Sequence, residues 1–190
     1  MAPGAIFSVA VFDLETSNLN ADFGIILCAV IMDVNTKEMK ILRWDEMPEF
    51  KKDRSSDKQL CQAIKKELES FDVIIGYNSS KFDIPFLNTR LLKNGDEMIT
   101  GIKHIDLLYS ARYYLKLSKN TLENLTEFLG TIEKKTKVDG SQWTKALVMA
   151  GTPKGKKAMD YIVEHCIKDV EVLAEVFGKI KDTIKVIKVR

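Results

Sequence analysis

DVIIGYNSSKFDIPFLNTRLLKNG, residues 72–95, is the stretch whose reading decides the fold class. It begins with a short apolar run rich in Val and Ile, the signature of a buried strand. A polar turn, NSSK, follows. Pro85 then stands near the head of an amphipathic segment and Gly95 at its tail, the asymmetry expected of a helix that starts near one and stops at the other. KHIDLL (103–108) reads as one more strand, so strand and helix alternate, the pattern of an α/β domain.

Working outward, IFSVAVFDLE (6–15), FGIILCAVIMDV (23–34) and, past the turn NTK, EMKILRW (38–44) predict three early strands that pair as antiparallel neighbours. SSDKQLCQAIKKELESF (55–71) offers Ser and Asp as caps and places Leu60, Ile64, Leu68 and Phe71 at helical spacing. From Tyr109 to about Lys181 the patterns are helical, including NTLENLTEFLG with Asn120 as cap and Gly130 as stop. The tail TIKVIKVR (183–190) is expected as a basic edge strand or a loose end.

A chain of 190 residues with 45% hydrophobic side chains can bury a sizeable core, and no repeat or linker divides it, so one domain over 1–190 is expected. Twenty-nine basic and 27 acidic side chains leave a net charge of +2, which excludes wrapping nucleic acid by bulk charge. Polyanion contact must be local. The most basic stretch, IEKKTKVDGSQWTKALVMAGTPKGKK (132–157), gathers Lys134, Lys135, Lys137, Lys145, Lys154, Lys156 and Lys157 around Trp143, as a guide for a single strand or as a solvated loop. Cys28, Cys61 and Cys166 are scattered through apolar or amphipathic runs and read as reduced core thiols. The opening residues carry no basic leader and no membrane-length apolar run, so a soluble intracellular protein, cytoplasmic or nuclear and without a membrane partner, is expected.

Three constellations carry chemistry. In FDLET, Asp13 and Glu15 project from the same face at a strand end, where two acids repel unless a cation such as magnesium or manganese neutralises them. Asp83 sits two residues before Pro85, as a helix N-cap or as a third acid at the same rim. His165 and Asp169, four apart in YIVEHCIKDV, stack on one helix face about 40° apart, as a polar stripe or as an acid and a base.

Together, FDLET (12–16), GYNSSKFDIPFL (76–87) and HCIKDVEVL (165–173) resemble, in order and spacing, the three motifs of the DEDD 3′→5′ exonuclease superfamily. The nearest likeness is to the proofreading exonuclease domain of family B DNA polymerases, and it covers roughly residues 6–178. HIDLLYSARYYLKL and TLENLTEFLG also look similar to family segments. The resemblance implies a ribonuclease-H-like fold, with a mixed, roughly five-stranded central sheet flanked by helices. It further implies that Asp13, Glu15, Asp83 and Asp169 bind two divalent ions, Mg2+ or Mn2+, and that His165 takes the place of the general base or water-orienting residue. The superfamily's branches carry Tyr four residues before the last Asp or His five before it, whereas this chain has His four before. Tyr161, one turn earlier, is the other candidate for the role, and weakened catalysis is a further possibility.

Thr16 and Asn78 resemble family positions that contact the terminal sugar or phosphate, or serve strand-end and loop hydrogen bonding; an exonuclease that accepts any terminal base needs stacking, and Leu14 and Phe82, flanking the acids, are expected to wedge the last nucleotide. The expected activity is metal-dependent 3′→5′ hydrolysis of single-stranded DNA or RNA by a two-metal mechanism, in service to a separate polymerase or repair factor. The rival readings are a noncatalytic 3′-end-binding or partner-binding module of the same fold, and an internally cutting RNase-H-like endonuclease.

Overall fold

The computed structural model describes residues 7–132 and 138–182. The three early runs form β1 (Val9–Thr16), β2 (Ile26–Asp33) and β3 (Met39–Arg43), paired antiparallel in sequence as expected. Strand β2 is buried along all but its last residue, which is why ILCAVIM shows no polar alternation: helices and strands cover both of its faces.

The chain then builds α1 (Lys58–Leu68), β4 (Val73–Gly76), α2 (Asp83–Lys93), β5 (Lys103–Asp106) and α3 (Leu107–Tyr114). It ends in α4 (Leu122–Leu129), α5 (Ser141–Val148) and the long α6 (Pro153–Ile180). The sheet order is β3-β2-β1-β4-β5, with β4 parallel to β1 and β5 parallel to β4. This is the mixed five-stranded sheet the sequence predicts. Its central strand is β1, so the end of β1 opens in the middle of the sheet. Helix α6 lies against β1 and β2 and buries Ile162, Cys166, Val170 and Leu173 there.

Helix stops fall where the sequence places them: Gly95 and Gly130 take left-handed φ values of 81° and 60° just past α2 and α4. Helix starts differ. Asp57 occupies the cap position of α1 and its carbonyl accepts the Cys61 amide, but its side chain makes no cap bond; α1 ends at Leu68, so Phe71 lies beyond it. The cap of α4 is Thr121, whose hydroxyl accepts from Asn124 N, while Asn120 offers its carbonyl to the Tyr77 hydroxyl at 3.2 Å. All three cysteines are buried and free. Among the described residues no helix is long and apolar enough to cross a membrane. The tail (183–190) and Lys134, Lys135 and Lys137 lie outside the described residues.

Candidate active site

The site is assembled at the end of β1. Strand β4 pairs only with Val9 to Val11, so β1 runs on past its parallel neighbour and leaves backbone amides open on that side. The amide of Leu14 is taken by Asp83 Oδ1 at 3.2 Å. On the other side, the β1–β2 register passes from Glu15 opposite Cys28 to Thr16 opposite Ile26, a bulge that turns the strand end just where the acids project.

Asp83 is the first helical residue of α2 and not its cap, which is Phe82; its carboxylate points at the β1 backbone instead of its own helix. Burial pushes its pKa up to about 7; the amides of Asp83 and Leu14 pull it back, and the charge of Asp106 pushes it further up. No lysine or arginine is among the groups acting on it.

Helix α6 supplies the opposite wall. His165 Nε2 lies 3.8 Å from Glu15 Oε1 and 3.7 Å from Asp169 Oδ2, so the four-residue spacing does put both side chains on the face that meets β1. Between them Cys166 donates its thiol proton to Asp13, at 3.4 Å to the carbonyl and 3.6 Å to Oδ2. Burial, Cys28, Asp13 and Glu15 all push the Cys166 pKa far above the usual thiol range, which keeps it a donor. Asp13, Glu15, Asp83, His165 and Asp169 are thus brought to one place, Asp83 on the β1 backbone and the others linked through α6.

Trp143 of α5 closes this wall, its ring centroid 5.9 Å from that of His165 and 6.3 Å from that of Tyr161. The Tyr161 hydroxyl accepts the Asp139 amide at 3.0 Å. Of the residues expected to touch substrate, Thr16 donates its hydroxyl to Asn18 O at 2.8 Å, and Asn78 adopts a left-handed φ of 59°. Of the pair expected to wedge the last nucleotide, Leu14 packs into the core at 4% exposure and Phe82 is half-buried with its ring 5.7 Å from that of Phe86. Beside Phe82 a crevice of about 260 Å³ opens between Leu19, Asn20, Lys81, Phe86 and Thr89. A larger cavity of about 400 Å³, between Trp44, Phe50 and the start of α6, contains none of the site acids.

A family model for the RNase_H superfamily matches residues 10–181. The chain belongs to this superfamily. Among curated proteins it is similar to a DNA polymerase of Methanocaldococcus jannaschii, 32% identical over 148 residues, which cover 65% of this chain and 9% of the polymerase. Among solved structures it is similar to the family B DNA polymerase of the hyperthermophilic archaeon Pyrobaculum calidifontis, with a TM-score of 0.71 and 16% identity over 92% of this chain and 24% of that one. The fold is therefore RNase H-like; the sequence match is to a DNA polymerase, and the structural match is to the fold of part of a family B DNA polymerase. The chain spans only a small part of each of these polymerases.

Carboxylates are the donors that hard divalent cations prefer, and one of them, Asp83, is driven towards protonation by its burial. Among the described residues no three histidine, cysteine or acidic donors form a ready-made metal cage.

Two features of the surroundings escape sequence reading. Asp57, expected as a cap, is fully buried and pairs with Arg90 through two 2.9 Å bonds while accepting the Ile26 amide. Arg90 also reaches Ala21 O at 3.1 Å, so this pair fastens the loop after β1 to α2. Asp106 is the other. For Asp57 the available signal was an acid next to a helix start, which reads first as a cap; Asp106 fell inside a run that reads as strand.

Proposed function

We propose that the protein is a metal-dependent 3′→5′ exonuclease acting on single-stranded nucleic acid, DNA or RNA. The observation that carries this reading is the gathering of Asp13, Glu15, Asp83, His165 and Asp169 from β1, α2 and α6 at the end of the central strand. Asp13, Glu15, Asp83 and Asp169 would hold the divalent ions. When bound, such ions supply charge stabilisation at the phosphate and acidify the attacking water.

The chain's own residues do the rest. His165, held between Glu15 and Asp169, accepts the proton of the water as it attacks phosphorus and the bond to the departing 3′ oxygen breaks. Phe82 stacks on the terminal base, a sequence-tolerant contact suited to an enzyme that must accept any end. Lys81, on the rim of the neighbouring crevice, faces the backbone of the entering strand. The likeness to polymerases supports service to a polymerase or repair factor.

The test is degradation of 3′- and 5′-labelled single-stranded DNA and RNA, with and without Mn2+, by the wild type and by Asp13→Ala. Loss of label from the 3′ end only, dependent on Mn2+ and abolished in the variant, is expected. Full activity of Asp13→Ala refutes the assignment, and cutting of circular single strands makes the protein an endonuclease. The exchange of tyrosine for His165 at this helix position favours one other reading, a 3′-end-binding module, which protects labelled ends from other nucleases without shortening them.

A further inference from the structure

The turn that delivers Asp83 to β1 is held in shape from the neighbouring strand. Asn78 sits in the left-handed region at φ 59°, which asparagine enters more readily than most residues that carry a side chain. A Cβ on Gly76 would overlap the Ser79 side chain, so the chain folds back hard against the end of β4. Such a turn needs partners that pay for it.

Strand β5 supplies them from two residues on one face, His104 and Asp106. The fully buried Ser79 shares a 2.8 Å hydrogen bond between its Oγ and His104 Nε2. Asp106 accepts four bonds on one carboxylate. Its Oδ1 takes the amides of Asn78 at 2.9 Å and Leu108 at 3.0 Å, and its Oδ2 takes the amide of Ser80 at 3.0 Å and its hydroxyl at 2.6 Å. Only an ionised acid offers acceptors alone at both ends; an amide would turn an NH2 towards one set of donors.

The held residues in turn hold the acid. The amides of Lys81 and Phe82 both donate to Asn78 O, and that of Ile84 to Ser79 O, each at 3.0 Å. The first turn of α2 therefore hangs from residues 78 and 79, and from that turn Asp83 reaches the Leu14 amide.

We propose that Asp106, aided by His104, is a positioning residue for the site: it fixes the 78–80 turn in the one shape that presents Asp83 to the end of β1. The inference rests on the reading of Asp83 as a cation ligand, and its test is arranged so that the two can fail separately.

Amide hydrogen exchange of residues 77–84 is measured on the metal-free protein, and Mn2+ affinity by titration, for the wild type, Asp106→Asn, Ser80→Ala and Ser110→Ala. Asp106→Asn is expected to speed exchange across the turn and to weaken Mn2+ binding, each about tenfold, as for losing hydrogen bonds to a charged acceptor. Ser80→Ala, which removes only the 2.6 Å bond, does the same to a smaller extent and serves if Asp106→Asn does not fold. Ser110→Ala, which loses a 3.1 Å bond to the Asp106 carbonyl but nothing in the turn, changes neither. Unchanged exchange in the first two variants, or faster exchange with unaltered Mn2+ affinity, overturns the proposal. A wild type that binds no Mn2+ sinks the nuclease reading instead, while exchange still decides whether Asp106 holds the turn.

Discussion

Replacing Asp83 by Asn removes an ionisable group while keeping an acceptor for the Leu14 amide. Burial holds this carboxyl at a pKa of about 7 against an ordinary 3.8. The difference corresponds to roughly 4 kcal/mol opposing folding once the group is ionised in both states. Near pH 4 and below, the proton is bound in both states and the penalty is absent. Between about pH 4 and 7 the unfolded chain releases the proton and the folded chain keeps it, so stability falls as pH rises; above about 7 the loss levels off. His104, whose pKa burial lowers from 6.5, works in the opposite direction on acidification, but it is common to both proteins and cancels in their difference.

Urea denaturation of metal-free wild type and Asp83→Asn across pH 4–8 reads the effect. The two are expected to be close near pH 4, and the variant more stable by a few kcal/mol at pH 8. Mn2+ at about a hundred times its Kd should win back about 3 kcal/mol for the wild type alone. The variant, although more stable, should not cleave, as when an acid is retained for function at the expense of stability. A stability difference that stays constant from pH 4 to 8 refutes the reasoning, because it would mean that Asp83 titrates alike in both states.

Asp57→Ala leaves Arg90 charged and buried without its partner, and should cost about 3–5 kcal/mol, read from the urea midpoint; an unchanged midpoint contradicts the role given to the pair. His165→Ala should slow cleavage by about a hundredfold or more while Tyr161→Phe slows it far less, and the reverse order transfers the base role to Tyr161. Phe82→Ala should raise KM for oligonucleotides by about tenfold with little change in kcat, whereas an unaltered KM removes it from the strand path.

Strands and helices were legible because their signals are local. The apolar runs of β1 to β3, the alternation from residue 72 onward and the glycine stops all depend on neighbours within a few positions. The candidate acids were singled out for another reason: three motifs in fixed order restrict what the chain can be far more than any one does. What stayed hidden was where a carboxylate sends its bonds. Asp57, Asp83 and Asp106 all stand at or beside helix starts; in sequence the first two look like caps, and Asp106 falls inside KHIDLL, which reads as strand throughout. The Asp106 carboxylate caps its own helix, α3, and spends its other bonds on a turn 26 to 28 residues away; the other two carboxylates reach 31 to 69 residues along the chain. Tertiary demand for a buried acceptor overrode the local preference, and no window on the sequence contains both partners.

The contact between Cys166 and Asp13 joins positions 153 apart in the chain. A ribosome therefore lets the first two acids emerge long before the helix bearing His165 and Asp169 has been made. Throughout synthesis the polypeptide exposes an incomplete set of these side chains, and they meet only once α6 docks on β1.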